Sequence, residues 1–214
     1  KPYWLLVTYG FSRHVTDVPY RAEHSHEYSL AIPADGGVLP QWGPALLRHL
    51  CRYVLNSRRD LAVGDHMPVR YPITRIPFPR EHHAKIADTG LTDIIVAHEP
   101  LVPTVRVPDG EIEIRRLVGI HGDEGRRILT WDCSAFVEEW TASGGMLLTD
   151  IHRDSLLHGE LGARMNARAG REGSSREVLF VDTDWTRYHG GIEIWFPGGD
   201  QAREILSVLH ARLP

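Results

Sequence analysis

A chain of 214 residues can bury about seven-tenths of its surface around one full core. With 42% hydrophobic and 24% charged residues it is not a largely disordered chain. A formal charge of −4 argues against a nucleic-acid protein, whose footprint is a basic excess, and two cysteines are too few for a disulfide scaffold.

Residues 3–9 are apolar, aromatic and β-branched and stop at Gly10. They predict a strand buried on both faces, with Trp4 and Leu6 in the core. Residues 12–26 are polar and predict a mobile loop. Residues 27–32 predict a second short strand, closed by the breaker cluster Pro33-Ala34-Asp35-Gly36-Gly37. Trp42–Ser57 is the clearest helix. Trp42, Leu46, His49, Leu50, Tyr53 and Val54 recur along one stripe, and Pro44 fits the first turn, where a missing N–H costs nothing. Residues 69–79 follow Pro68 and contain Pro72, Pro77 and Pro79, which predicts an extended segment outside any central ladder.

Leu91–His98 reads as a strong strand, with Ile95 in the core. Residues 101–107 and 111–120 flank Pro108-Asp109-Gly110, a hairpin signature. Leu117 and Val118 belong to its buried part. Residues 123–140 predict one or two short helices. Asp132 is the N-cap of the stripe Cys133, Phe136, Val137 and Trp140. Residues 146–149 predict a short strand. Residues 159–175 are rich in Gly, Arg and Ser and predict an exposed, flexible excursion. Strands at 177–184 and 190–196 follow. Asp200 then caps a helix with the stripe Ala202, Ile205, Leu206, Leu209 and Leu213.

Hairpins mixed with helices predict an α+β fold, a mainly antiparallel or mixed sheet covered by helices. One domain over 1–214 is expected, with a terminal strand-strand-helix at about 177–213. Cys51 and Cys133 both sit in apolar helical contexts, which suits reduced core thiols and a cytoplasmic protein. No run reaches the length of a membrane span and no signal peptide opens the chain. Strand-like sequence begins almost at Lys1, so the native N-terminus is expected upstream.

The search for chemistry returns little. His24 and His26 would share one strand face, as two metal ligands must, but spacing supplies no third. Asp182-Thr183-Asp184 could hold a divalent ion, although a strand end facing solvent explains it as well. His152-Arg153-Asp154 is followed by Gly159 where a kinase loop needs Asn. No elbow serine or phosphate-cradling glycine loop is present. Cys51 and His49 are two apart on a helix and point away from each other. A metal-dependent enzyme using His24/His26 or Asp182/Asp184 is therefore the alternative reading, and a non-enzyme the main one. The arginine pairs Arg58-Arg59, Arg115-Arg116 and Arg126-Arg127 read as solvated faces.

Several segments together carry a resemblance. They are Tyr3-Trp4-Leu5-Leu6-Val7-Thr8-Tyr9-Gly10-Phe11-Ser12, Glu27-Tyr28-Ser29-Leu30, Trp42-Gly43-Pro44-Ala45-Leu46-Leu47-Arg48-His49-Leu50, Gly110-Glu111-Ile112 leading to Leu117-Val118-Gly119-Ile120 with Asp123-Glu124, and Leu147-Leu148-Thr149-Asp150-Ile151-His152-Arg153. In order and spacing they resemble the suppressor of fused domain family over about the first 157 residues. The resemblance implies a domain without known catalysis or cofactor that acts by binding proteins. Animal members restrain transcription factors of the Hedgehog pathway, and bacterial relatives look like immunity proteins. A single-domain bacterial member is the expectation here. Its partner would be a protein, in the sharpest version a toxin encoded nearby, and neither nucleic acid nor membrane.

A binder without catalysis needs an apolar patch or an open sheet edge. The Pro-rich stretch can flank such an edge. Tyr71, Ile73, Ile76 and Phe78 would then offer apolar pockets, and Arg70, Arg75 and Arg80 would favour an acidic partner. The competing reading packs the four apolar residues inward and leaves the arginines solvated.

Overall fold

The computed structural model describes residues 2–12, 26–57, 59–107, 110–174, 184–188 and 191–195. Six strands form one sheet in the order β1 (Tyr3–Val7), β2 (His26–Pro33), β6 (Gly110–His121), β4 (Leu91–His98) and β3 (His66–Pro68), with β5 (Thr104–Val107) also pairing β6. The β2–β6 pair is parallel and the others are antiparallel. Helix α1 (Trp42–Ser57) covers one face. The other face carries α2 (Gly122–Leu129), α3 (Cys133–Ala142) and α4 (Gly159–Glu172). The fold is α+β with a mixed sheet, as the alternation of hairpins and helices predicts.

The pleat sorts each central strand between the two cores. Ile94 and Val96 of β4 join Leu117, Leu30 and the α1 residues Leu46, Leu47, Leu50 and Val54. Ile95 and Ala97 point the other way, to Val118, Ile120, Ile128, Phe136 and Trp140. Asp132 caps α3 as its sequence indicates, its side chain accepting from Ala135 N at 2.7 Å. The buried side of α1 is Trp42, Leu46, Leu47, Leu50 and Val54, whereas His49 and Tyr53 of the expected stripe face water.

The structure corrects several expectations. β1 lies at the end of the sheet, so it is not buried on both faces, and Trp4 is 37% exposed. Residues 69–79 run through successive turns instead of extending. Arg75 N bonds Pro72 O and Phe78 N bonds Arg75 O. A 3₁₀ helix, Arg80–Lys85, follows. Residues 146–149 form no strand, although Thr149 N still donates to Ala31 O and its hydroxyl accepts from Gly119 N. Arg116, expected in a solvated face, is 2% exposed.

The expected excursion at 159–175 is wrong over Gly159–Glu172, which is helix α4. Its buried side is only Gly162, Met165 and Ala169, too small a stripe to stand out as apolar periodicity. Polar contacts complete the docking. Glu172 accepts from the Trp131 indole at 2.8 Å, and Arg168 pairs with Glu138, Glu139 and Glu172. At Gly162 a Cβ would run into the Leu157 backbone carbonyl. Gly162→Ala is expected to cost about 2 kcal/mol by overpacking and to lower Tm by roughly 4–8 °C. A melting curve unchanged from wild type would show that α4 does not seat as described.

β7 (Asp184–Tyr188) and β8 (Gly191–Trp195) pair with each other in a separate two-stranded sheet. The expectations for residues 13–25, 177–183 and the helix from Asp200 lie outside the described residues.

Candidate functional site

β3 is the last strand of the sheet, and no strand pairs its outer edge among the described residues. Its His66, Met67 and Pro68 oppose Ile95, Ile94 and Asp93 of β4. Helix α2 packs over β3 and β4, and between helix and strand edge lies a cavity of about 470 Å³. His66, Pro68, Arg70, Thr92, Asp93, Arg126 and Leu129 line it. Its floor holds one carboxylate, Asp93, and the buried His66 ring, whose Nδ1 has no hydrogen-bond partner among the described residues. Asp93 is held by His66 Nε2 at 2.8 Å and by the Thr92 hydroxyl at 2.8 Å. Gly122 and Gly125 allow that closeness, because a Cβ on Gly125 would collide with the Asp93 carboxylate.

Immediately after β3 the chain turns sharply. Val69 N and Arg70 N both donate to Thr92 O, at 3.1 and 2.9 Å. Arg70 takes φ +60°, the only positive value at a non-glycine among the described residues. A side chain in that region is disfavoured, and such residues concentrate where a position is used. The turn places Arg70 and Tyr71 on the surface, Tyr71 at 41% exposure. Tyr71 is braced by His83. His83 Nε2 donates to the Phe78 carbonyl at 2.9 Å, and its Nδ1 lies 3.0 Å from the Tyr71 hydroxyl.

The seven residues singled out from sequence divide. Arg70, Tyr71 and Arg80 are exposed. Arg75 is partly buried and pairs with Asp88 at 3.5 Å. Ile73 is fully buried in the α1-side core, and Ile76 and Phe78 pack against that core. Of the seven, only the first three stand exposed on the surface. Arg126 reaches the same cavity from α2, and sequence reasoning passed over it as half of a solvated Arg126-Arg127 pair.

The residues considered for chemistry are placed elsewhere. His26 is buried in β2, its Nε2 3.1 Å from Asp60 and 3.0 Å from the Tyr28 hydroxyl. Tyr28 also donates to Asp60, and Arg115 grips the other Asp60 oxygen at 2.9 Å. Burial alone would raise the Asp60 pKa. The hydrogen bonds from His26 and Arg115 outweigh it and hold the carboxyl well below the usual range. Burial first, then the Asp60 charge, keeps the Tyr28 hydroxyl protonated far above its ordinary value. A depressed carboxylate pKa contributes stability above the unfolded value near 3.9 and loses it as pH falls toward the folded value. Asp60→Asn is expected to cost about 1–3 kcal/mol at pH 7. Its gap to wild type should close in urea titrations below about pH 4. A pH-independent gap would contradict the assignment.

Among the described residues, no group of three or more His, Cys, Asp or Glu is placed to hold a metal ion. His24 and Asp182 lie outside those residues, and Asp184 begins β7. Burial pushes both the Cys51 and the Cys133 thiol up to about 12, so neither is a ready nucleophile. No helix among the described residues is long and apolar enough to cross a membrane.

The signature segment 8–12 has a structural task. Backbone N–H groups of Gly10, Phe11 and Ser12 converge on the buried Glu27 carboxylate at 3.0–3.2 Å, joined by the Thr8 and Ser12 hydroxyls. Gly10 at φ +84° makes that turn. The two most distinctive segments of the sequence are thus one interaction.

The described residues thus present an α+β sheet whose β3 edge no other described strand pairs, with exposed side chains beside it. The family model for suppressor of fused protein (SUFU) matches residues 1–154, and the chain belongs to that family. It is 24% identical over 122 residues to the mouse suppressor of fused homolog and 22% identical over the same length to the human one. Those matches cover 55% of this chain and 23% of each relative, so the chain spans about a quarter of the curated relatives it matches. Among solved structures it is similar to Drosophila Suppressor of Fused, with TM-score 0.64, 19% identity, and coverage of 86% of this chain and 46% of that one. The Sufu–Fu complex matches with TM-score 0.56 and 19% identity, covering 78% of this chain and 74% of that one. A Neisseria gonorrhoeae homolog matches with TM-score 0.50 and 12% identity, covering 75% and 74%. At these identities the likeness shows the fold.

Proposed function

We propose that this domain is a non-catalytic protein-binding module that takes an extended segment of its partner along the β3 edge. The observation that carries the reading is the β3 edge, which no strand pairs among the described residues, with Arg70 and Tyr71 projected beside it by a strained turn. A sheet edge offers main-chain donors and acceptors to any extended chain, and flanking side chains select which chain binds. Binding of Fu by a relative of the same fold supports a protein partner. The finer version is an immunity role in the bacterial cytoplasm, in which the partner is a toxin encoded nearby and the domain occludes its surface. Occlusion needs no reactive group, which suits a site made of an edge, an aromatic ring and guanidinium groups.

The test uses the product of the adjacent open reading frame. Tyr71→Ala with Arg80→Glu is expected to weaken its binding at least tenfold by calorimetry, about 1.4 kcal/mol, with the circular dichroism spectrum unchanged. Unchanged affinity would remove this edge from the interface. Co-expression should also relieve any toxicity of that product, and toxicity undiminished by a bound domain would overturn the immunity role.

A further inference from the structure

The structure assigns the Arg70–Arg126 pair as a clamp for a carboxylate side chain of the bound segment, so that the partner's docking strand is acidic at the position beside Pro68. The inference rests on the β3-edge reading above and adds the chemistry of what binds there.

Four observations converge on it. First, Arg70 and Arg126 come from different elements, the turn after β3 and helix α2, yet line one cavity at the strand edge. Second, both are exposed, and neither is ion-paired among the described residues, whereas Arg75, Arg115, Arg116, Arg153 and Arg168 are all paired there. Third, the one carboxylate in the cavity is already used. Asp93 is 6% exposed and its two oxygens already accept from His66 and Thr92, so the two guanidinium groups outnumber the single carboxylate of the lining. Fourth, Arg70 is held at φ +60° by the double donation to Thr92 O. A strand continuing straight from Pro68 would carry that side chain along the edge. The turn sets it at the cavity mouth instead.

The edge itself explains why such a clamp matters. β3 has three residues, and Pro68 has no N–H to offer an added strand. Few main-chain bonds are available, so side chains must supply much of the selectivity. Guanidinium groups present paired donors in a fixed fork and hold carboxylates in two-point contacts. Two of them, set against one buried and already hydrogen-bonded carboxylate, favour Asp or Glu and reject Lys or Arg by repulsion.

The experiment selects random dodecapeptides displayed on phage against the whole protein. The selected peptides are then measured against Arg70→Glu, Arg126→Glu and Arg70→Lys variants, each checked for its melting temperature. Recovered peptides should be enriched in Asp or Glu at one position. Their affinity should fall about tenfold or more for each charge reversal and stay within a few-fold for Arg70→Lys. A peptide with that acid changed to Lys should bind Arg126→Glu better than it binds wild type. Peptides that protect β3 amides from exchange but show no acidic preference, or bind Arg126→Glu as tightly as wild type, would overturn the clamp and leave the edge reading standing. Peptides that protect other strands, or no recovered peptide at all, would overturn both.

Discussion

Replacing Arg116 by alanine is expected to cost about 3–5 kcal/mol of folding stability, because it leaves the buried Glu99 charge without its counter-ion. The two side chains are 2% and 1% exposed. Arg116 holds both carboxylate oxygens of Glu99 through Nε and Nη2 at 2.7 Å. It also donates to the Ser29 hydroxyl and, from Nη1, to Leu147 O at 3.0 Å. One guanidinium therefore ties β2, β6, the β4–β5 connection and the segment after α3 together. A loss of that size is a large part of the 5–15 kcal/mol typical of a folded domain, so the variant should be partly unfolded near 37 °C. Arg116→Met combined with Glu99→Leu removes both charges and should recover much of the loss, since a buried pair is roughly neutral against apolar replacements. Urea denaturation of the three proteins measures this. A single substitution costing under about 1 kcal/mol would show that water reaches the pair.

Glu27→Ala is expected to cost about 3 kcal/mol, by a different route. The carboxylate is the common acceptor for three consecutive N–H groups and two hydroxyls. Each buried donor left without an acceptor costs about 1–3 kcal/mol, and partial access of water to residues 8–12 keeps the sum near the lower bound. Glu27→Gln keeps one carbonyl acceptor but turns an NH₂ toward donors, so it should fall between alanine and wild type. Amide exchange at Gly10, Phe11 and Ser12 should quicken in both variants while β4 stays protected. Uniform quickening across the sheet would mean that the substitution acts globally.

Much of the fold was legible because its period is local. The α1 core residues, the buried Leu91–His98 strand, the 110–121 arm of the hairpin and the Asp132 cap all rest on spacings within one element. What was misread depends on neighbours that no local pattern names. Trp4 looks like core, but β1 ends the sheet and no strand pairs its outer flank among the described residues. Arg116 looks like surface, but the chain brings Glu99 to it. Helix α4 docks through Gly162, Met165, Ala169 and ion pairs rather than through a leucine stripe, so its Gly- and Arg-rich sequence reads as loop.

The candidate site was half legible for the same reason. The proline run correctly marks a segment outside the ladder, and Arg70, Tyr71 and Arg80 stand exposed in it. Ile73 is drawn into the core by its N–H bond to Leu91 O, which no periodicity announces. Arg126 enters only through the packing of α2 over β3, a contact between segments far apart in the chain.

The central claim is that the β3 edge receives the partner, and amide hydrogen exchange of the free and bound domain tests it most directly. With the product of the adjacent open reading frame bound, exchange should slow at residues 66–71 and at Arg126, and stay unchanged in β1. Slowing confined to β1 and the α1 face, with residues 66–71 exchanging as in the free domain, would contradict it.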